Sequence, residues 1–282
     1  MKKRTKKKIK RYSWKIVKSI AKIIFYYPAK GVWYLMKKLF QKVKESLQKA
    51  EKIKAKKKIS KNKPKVEAKY HELKEIKKKL GKISDFKRKL YTNKSTIGII
   101  LGARGTGKSA IGMCLLENFK VKTNKRSYAL GFKEESLPQW IKVISDVEQI
   151  KNNSVILIDE GGIEFSSRKA MSKGNKILSE ILLIARHKDL SVIFIAQNSA
   201  NLEINAIRQA DYLVLKPSSL LQKDFERKKI KDIYEEISEE FKDYKSNKGA
   251  TYIYCEDYLG FVSNSLPSFW GEKVSKGYAN RK

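Results

Sequence analysis

Gly102-Ala103-Arg104-Gly105-Thr106-Gly107-Lys108-Ser109 matches the phosphate-loop pattern G-x-x-x-x-G-K-[ST] at every position. The run before it, Thr96-Ile97-Gly98-Ile99-Ile100-Leu101, is apolar, β-branched and of buried-strand length, and Ala110-Ile111-Gly112-Met113-Cys114-Leu115-Leu116 continues as a helix. Between strand and helix, consecutive backbone N–H groups point inward at a helix N-terminus, where the dipole favours anions. Gly102, Gly105 and Gly107 let the backbone wrap a phosphate, with Ala103, Arg104 and Thr106 completing the cradle. Lys108 is expected to reach the β and γ oxygens and Ser109 to ligate Mg²⁺. ATP or GTP is the expected ligand.

Some fifty residues on, Ser154-Val155-Ile156-Leu157-Ile158-Asp159-Glu160 reads as a buried parallel strand ending in two acids, the form of a Walker B motif. Asp159 is expected to hold Mg²⁺ beside Ser109, and Glu160 to orient or deprotonate the attacking water. Ser191-Val192-Ile193-Phe194-Ile195-Ala196 is another buried strand, ending at Gln197-Asn198. An amide at that tip is placed to hydrogen-bond the γ-phosphate or the water, and Gln197 suits the role better than Asn198.

The rest of the chain reads as scaffold. Strands are expected at residues 126–132 and 211–217, and a hairpin from residues 251–255 and 260–263. Helices are expected at residues 137–150, 175–187 and 221–241. Residues 164–174 form a polar, serine-rich loop containing Arg168, suited to a polymer or a neighbouring subunit. Leu266-Pro267-Ser268-Phe269-Trp270 is an aromatic patch suited to docking on its own domain or on a partner.

Charge is distributed unevenly. Of 64 Lys and Arg, 34 fall in residues 1–90, against 6 of the 29 Asp and Glu, so this third carries +28 of the formal net +35. The remaining 192 residues suffice for one α/β domain. The two cysteines, Cys114 and Cys255, make no disulfide framework, and His71 and His187 stand alone, so a reducing, cytoplasmic compartment and no structural metal are expected. Cys114 reads as a small core residue.

Trp14, Val17, Ala21, Ile24 and Tyr27 share one helical face, with Lys15, Lys18 and Lys22 on another. After Pro28 and Gly31 the pattern resumes with Val32, Trp33, Leu35, Met36, Leu39, Phe40 and Val43 opposite Lys37, Lys38, Lys42 and Lys44. Two basic amphipathic helices follow. They suit an anionic membrane surface first, where the aromatic cluster would sit, then packing on a protein partner, and third a nucleic-acid backbone, since phosphate binding alone leaves the aromatic residues unexplained. Ile23 to Ala29 is the longest uncharged stretch there, too short for a spanning helix, and lysines interrupt any secretion signal. Residues 45–94 read as a Lys-rich linker with a helix carrying Leu73, Ile76, Leu80 and Ile83 on its core side, so the domain of interest spans 95–282.

Taken together, residues 102–109, Ile156-Leu157-Ile158-Asp159-Glu160 and Ala185-Arg186-His187-Lys188-Asp189-Leu190-Ser191-Val192-Ile193-Phe194-Ile195-Ala196-Gln197 resemble the FtsK/HerA class of P-loop ATPases. That class includes viral genome-packaging ATPases and the N-terminal domain of zonula occludens toxin-like proteins. The resemblance, over residues 96–217, implies an α/β P-loop NTPase with a mostly parallel sheet flanked by helices. It is of the additional-strand, catalytic-glutamate type, here with a basic helical N-terminal extension and a C-terminal hairpin. It implies a homo-oligomeric ring, usually a hexamer, with ATP at subunit boundaries, and movement of double-stranded DNA. Lys108, Asp159, Glu160 and Gln197 would serve in cis and an arginine in trans; Arg186 is the choice, with Arg168 and Arg208 as rivals. A membrane-bound assembly ATPase of the filamentous-phage type and a small-molecule kinase are the competing readings.

Overall fold

Strands buried at nearly every position belong inside a sheet covered on both faces. Five parallel strands meet that description: β2 (Ile97–Leu101), β3 (Arg126–Leu130), β5 (Ser154–Asp159), β6 (Leu190–Ile195) and β7 (Tyr212–Leu215). With the short β4 (Ile141–Val143) they form a parallel sheet in the order β7-β2-β6-β5-β3-β4. β8 (Ala250–Cys255), β9 (Tyr258–Ser263) and β1 (Lys74–Gly81) extend it antiparallel beyond β7, giving nine strands in one sheet among the described residues. The structure, a computed structural model, describes residues 63–161, 170–202 and 204–275, together with helical residues 14–15, 17–20, 33–34, 37–38, 40–42 and 44–45. It divides into two units, Met1–Lys61 and Asn62–Lys282.

Alternate residues of each strand feed opposite cores. Ile156, Ile158, Val192 and Phe194 pack with Leu178, Ile181 and Ala185 of α3 (Ala170–Ala185) and with Ile230, Ile233 and Ile237 of α6 (Lys228–Asp243). Val155, Leu157, Ile193 and Ile195 face Met113 and Leu116 of α2 (Lys108–Lys122), beside Phe86 and Leu90 of α1 (Ile83–Thr92). The expected mostly parallel sheet flanked by helices is therefore what the chain forms. β6 is the additional strand: it lies between β2 and β5, pairing Ile99 with Phe194 on one side and Asp159 with Ile195 on the other. Because all these strands run the same way, residues 102–109, Asp159-Glu160, Gln197 and Lys216 reach the same C-terminal edge.

Helix α2 is buried from Lys108 through Phe119 apart from Ser109, which requires cover on the side away from the sheet. Two segments supply it. The Glu117 carboxylate accepts from Lys69 N at 2.9 Å and from Ser268 N at 3.0 Å, while Asn118 exchanges two 2.7 Å bonds with the His71 main chain. Glu117 is fully buried, so truncating it takes the acceptor from two part-buried amides and leaves a gap beneath them. Glu117→Ala is expected to cost about 3 kcal/mol and lower the melting temperature by roughly 6–12 °C, read by thermal circular dichroism.

Four local expectations are corrected. Residues 74–81 form an edge strand, not a helix: bulges between Glu75 and Lys77 and between Lys78 and Leu80 stretch the two-residue strand period toward three, which reads as helical in sequence. Leu80 is accordingly exposed. This strand and α1 fall within the unit Asn62–Lys282. Residues 137–150 hold β4 and 3-10 turns; Leu137, Ile141, Ile144, Val147 and Ile150 are all buried at helix-like spacing, but Pro138 lacks an amide and Ile141 N turns back to its carbonyl. The helix expected from residue 175 already begins at Ala170. Finally, the helix at 221–241 is two, α5 (Leu220–Asp224) and α6, because residues 226–227 leave it to bind the chain after β6. Glu226 accepts from Ser199 N at 2.7 Å and Arg227 Nε donates to Ser199 O at 3.0 Å.

Candidate active site

The phosphate loop leaves β2 through Gly102 and enters α2 through Gly107. Gly107 caps the helix at φ 92°, ψ 20°, a left-handed conformation that a side chain disfavours. Gly102 (φ 146°) has a second constraint, since a Cβ there would stand 2.6 Å from the Cβ of Lys216. Within the loop Thr106 Oγ1 donates to Ala103 O at 2.7 Å, and Ala103 N donates to Pro217 O at 2.9 Å. Lys108 Nζ donates to Gly102 O at 2.7 Å and Ala103 O at 2.9 Å. Burial lowers the Lys108 pKa from the ordinary lysine value, and the Asp159 carboxylate opposes that shift.

The two expected metal ligands meet: Ser109 Oγ donates to Asp159 Oδ2 at 3.0 Å, joining the start of α2 to the end of β5. A hydroxyl and one carboxylate are hard oxygen donors, the set Mg²⁺ takes when phosphates and water supply its other ligands. Among the described residues no group of three or more His, Cys, Asp or Glu competes as a metal centre. Glu160 follows directly and is 7% exposed. Gln197 comes to the same place from β6: a Cβ on Gly161 would lie 3.4 Å from Asp159 Oδ1 and 3.9 Å from Gln197 Nε2. Gln222 of α5 holds the Gln197 carbonyl through its side-chain amide. Asn198 turns away, capping the next turn by accepting from Ala200 N at 2.7 Å.

The candidate arginines are elsewhere. Arg186 is exposed in the turn between α3 and β6, and Lys188 O of that turn accepts from Asn153 N at 2.8 Å, just ahead of β5. The length of β5, roughly 17 Å, therefore separates it from Asp159 of its own chain. Arg208 ends α4 (Ile204–Arg208), three residues before Asp211, whose N–H bonds Ile97 O at the same far edge. Arg168 lies outside the described residues.

On its other side the phosphate loop borders a cavity of about 910 Å³, where Gly105, Gly107 and Ala110 face Tyr244, Leu266 and Trp270. Apolar walls against a phosphate-binding loop suit the base and sugar of a nucleotide. Sequence reading missed this wall. Its signals were the aromatic patch at residues 266–270 and a lysine closing an otherwise apolar strand at Lys216.

No family model matches the chain, and no curated protein does. Among solved structures, it is similar to the genome packaging NTPase from Sulfolobus turreted icosahedral virus 2 in complex with ATP-gammaS, with 17% identity over 62% of this chain and 100% of that one, at a TM-score of 0.39. It is also similar to the pCW3 conjugation coupling protein TcpA with ATPgS, with 12% identity over 64% of this chain and 63% of the other at a TM-score of 0.41. EssC (ATPases 2 and 3) from Geobacillus thermodenitrificans has 12% identity, over 77% of this chain and 49% of its own, at a TM-score of 0.43.

Proposed function

We propose that the chain is an ATP-hydrolysing motor of the FtsK/HerA class that assembles as a ring and moves double-stranded DNA. The observation that carries the reading is the 3.0 Å bond from Ser109 to Asp159 beside the phosphate loop, with Glu160 buried next to it. Backbone N–H groups of residues 102–108 would bind the phosphates, and the Lys108 ammonium would exchange its two carbonyl partners for β and γ oxygens. Ser109 and Asp159 would hold Mg²⁺, which when bound neutralises charge on the β and γ oxygens. Glu160 accepts the water's proton as the water oxygen attacks the γ-phosphorus, and the bond from that phosphorus to the bridging oxygen breaks, releasing ADP and phosphate. The Gln197 amide orients the water or the γ oxygens.

The far-edge position of Arg186 supports the ring reading, in which it acts on a neighbouring subunit's site rather than its own. Duplex DNA is the load that suits a chain with +28 of its charge in residues 1–90. A triplex-displacement assay tests the motor: ATP-dependent release of the third strand from a long duplex is expected, and hydrolysis without displacement contradicts it.

A second reading, a membrane-associated assembly or export ATPase acting from the cytoplasmic face, is favoured by one observation. Trp14, Trp33, Tyr34 and Phe40 are all exposed on helical residues, with Lys18 and Lys37 over the Trp14 and Trp33 rings at 5.6 and 5.3 Å. No helix among the described residues is long and apolar enough to cross a membrane. Binding to anionic vesicles that is lost on removing residues 1–44, with hydrolysis intact and no DNA displacement, would favour this reading. A phosphorylated acceptor in place of free phosphate would favour a kinase over both.

A further inference from the structure

Lys216 is a buried cation beside the phosphate loop that the proposed chemistry leaves unused. It closes β7, is 1% exposed, and its side chain runs beneath the phosphate loop, with Cε 3.6 Å from where a Cβ on Gly107 would stand. Its Nζ donates to Ala250 O at 2.9 Å, Lys248 O at 3.3 Å and, at the limit, Asn264 Oδ1 at 3.5 Å. Main-chain bonds secure the same junction: Lys216 N donates to Leu101 O at 2.8 Å, and Pro217 O accepts from Ala103 N. One side chain thus joins the phosphate loop to the turn that starts β8 and to the end of β9.

The cage is made of neutral carbonyls. An ammonium there keeps its hydrogen bonds but loses its hydration, and a bound polyphosphate across Gly107 is the missing counter-charge. The cavity beside it offers no substitute: Lys223, Lys242, Lys245 and Lys248 line it, and among the described residues no Asp or Glu does. We propose that Lys216 is a positioning residue for nucleotide binding, its buried ammonium tying the phosphate loop to the β8 turn and being held in its charged form by the nucleotide's phosphates. This rests on the phosphate loop holding a nucleotide.

Burial lowers the Lys216 pKa to about 8. The titratable groups around it and along the cavity it borders are Cys114 from α2, Lys223 from α5, Tyr234 and Lys242 from α6, and Tyr244, Lys245 and Lys248 from the turn before β8. Burial raises the Cys114 thiol to about 12, so it stays neutral through this range. If phosphates hold the ammonium charged, the complex carries more protons than the free protein above about pH 8, and affinity falls as pH rises. The free protein's stability moves oppositely: the unfolded chain keeps this proton to about pH 10.5, so stability rises between about pH 8 and about pH 10.5.

The test is calorimetric titration of the full chain with Mg²⁺ and ATPγS near pH 7 and at about pH 8.5, in buffers of different ionisation enthalpy. The wild type is expected to bind near pH 7 and, at about pH 8.5, to take up more than about half a proton per nucleotide. Lys216→Met should bind about tenfold more weakly near pH 7 and lose that uptake, whereas Lys216→Arg, which cannot deprotonate here, should keep binding and also lose it. Binding with no proton uptake in the wild type, or uptake and affinity unchanged in Lys216→Met, overturns the proposal. Should Lys216→Met fail to fold, the wild type and Lys216→Arg decide the matter by the same two readings. No binding by the wild type near pH 7 overturns the nucleotide reading itself and the proposal with it.

Discussion

Glu160→Gln is expected to slow ATP hydrolysis by about a thousandfold while leaving nucleotide affinity nearly unchanged. Glu160 stands one residue beyond β5, next to Asp159, and is 7% exposed. Glutamine has the same shape, so β5 and the Ser109–Asp159 pair stay in place, and only the capacity to accept the water's proton is lost. Single-turnover phosphate release measures the chemical step and ATPγS titration measures binding. A loss confined to turnover assigns Glu160 to the chemistry; an equal loss of binding would make it a structural residue and move the base elsewhere.

Lys108→Ala is expected to weaken ATPγS binding by more than a hundredfold, about 3 kcal/mol. The phosphate loop offers backbone dipoles, but Lys108 brings a full charge that can reach the phosphates. Folding should respond much less. The substitution relieves the desolvation of a buried ammonium and at the same time deprives the Gly102 and Ala103 carbonyls of their donor, and these effects oppose each other. Little change in melting temperature beside a large loss of binding separates a ligand-directed role from a structural one.

What could be read in the sequence was what is local. The phosphate loop, the strand ending in Asp159-Glu160 and the strand ending in Gln197 are each contiguous runs, and the β6 insertion between β2 and β5 brings the three tips to one edge. The misread segments share a physical cause. β1 carries two bulges that imitate helical spacing, and residues 137–150 bury apolar residues three and four apart without a helix. The break between α5 and α6 is dictated by Ser199, far away in sequence. Lys216 is the clearest instance of what stays hidden: its partners at residues 102, 107, 248, 250 and 264 come from three separate stretches, and no local pattern records them. The clamp of Glu117 by residues 69 and 268 was invisible for the same reason.

The central claim is that this edge of the sheet hydrolyses ATP to move DNA. It is tested most directly by steady-state phosphate release from Mg²⁺–ATP by the full chain, with and without long linear duplex DNA. The account predicts turnover that duplex DNA raises several-fold and that disappears in Glu160→Gln. An assembled wild-type protein that binds ATP yet releases no phosphate, or whose turnover is indifferent to DNA, would contradict it.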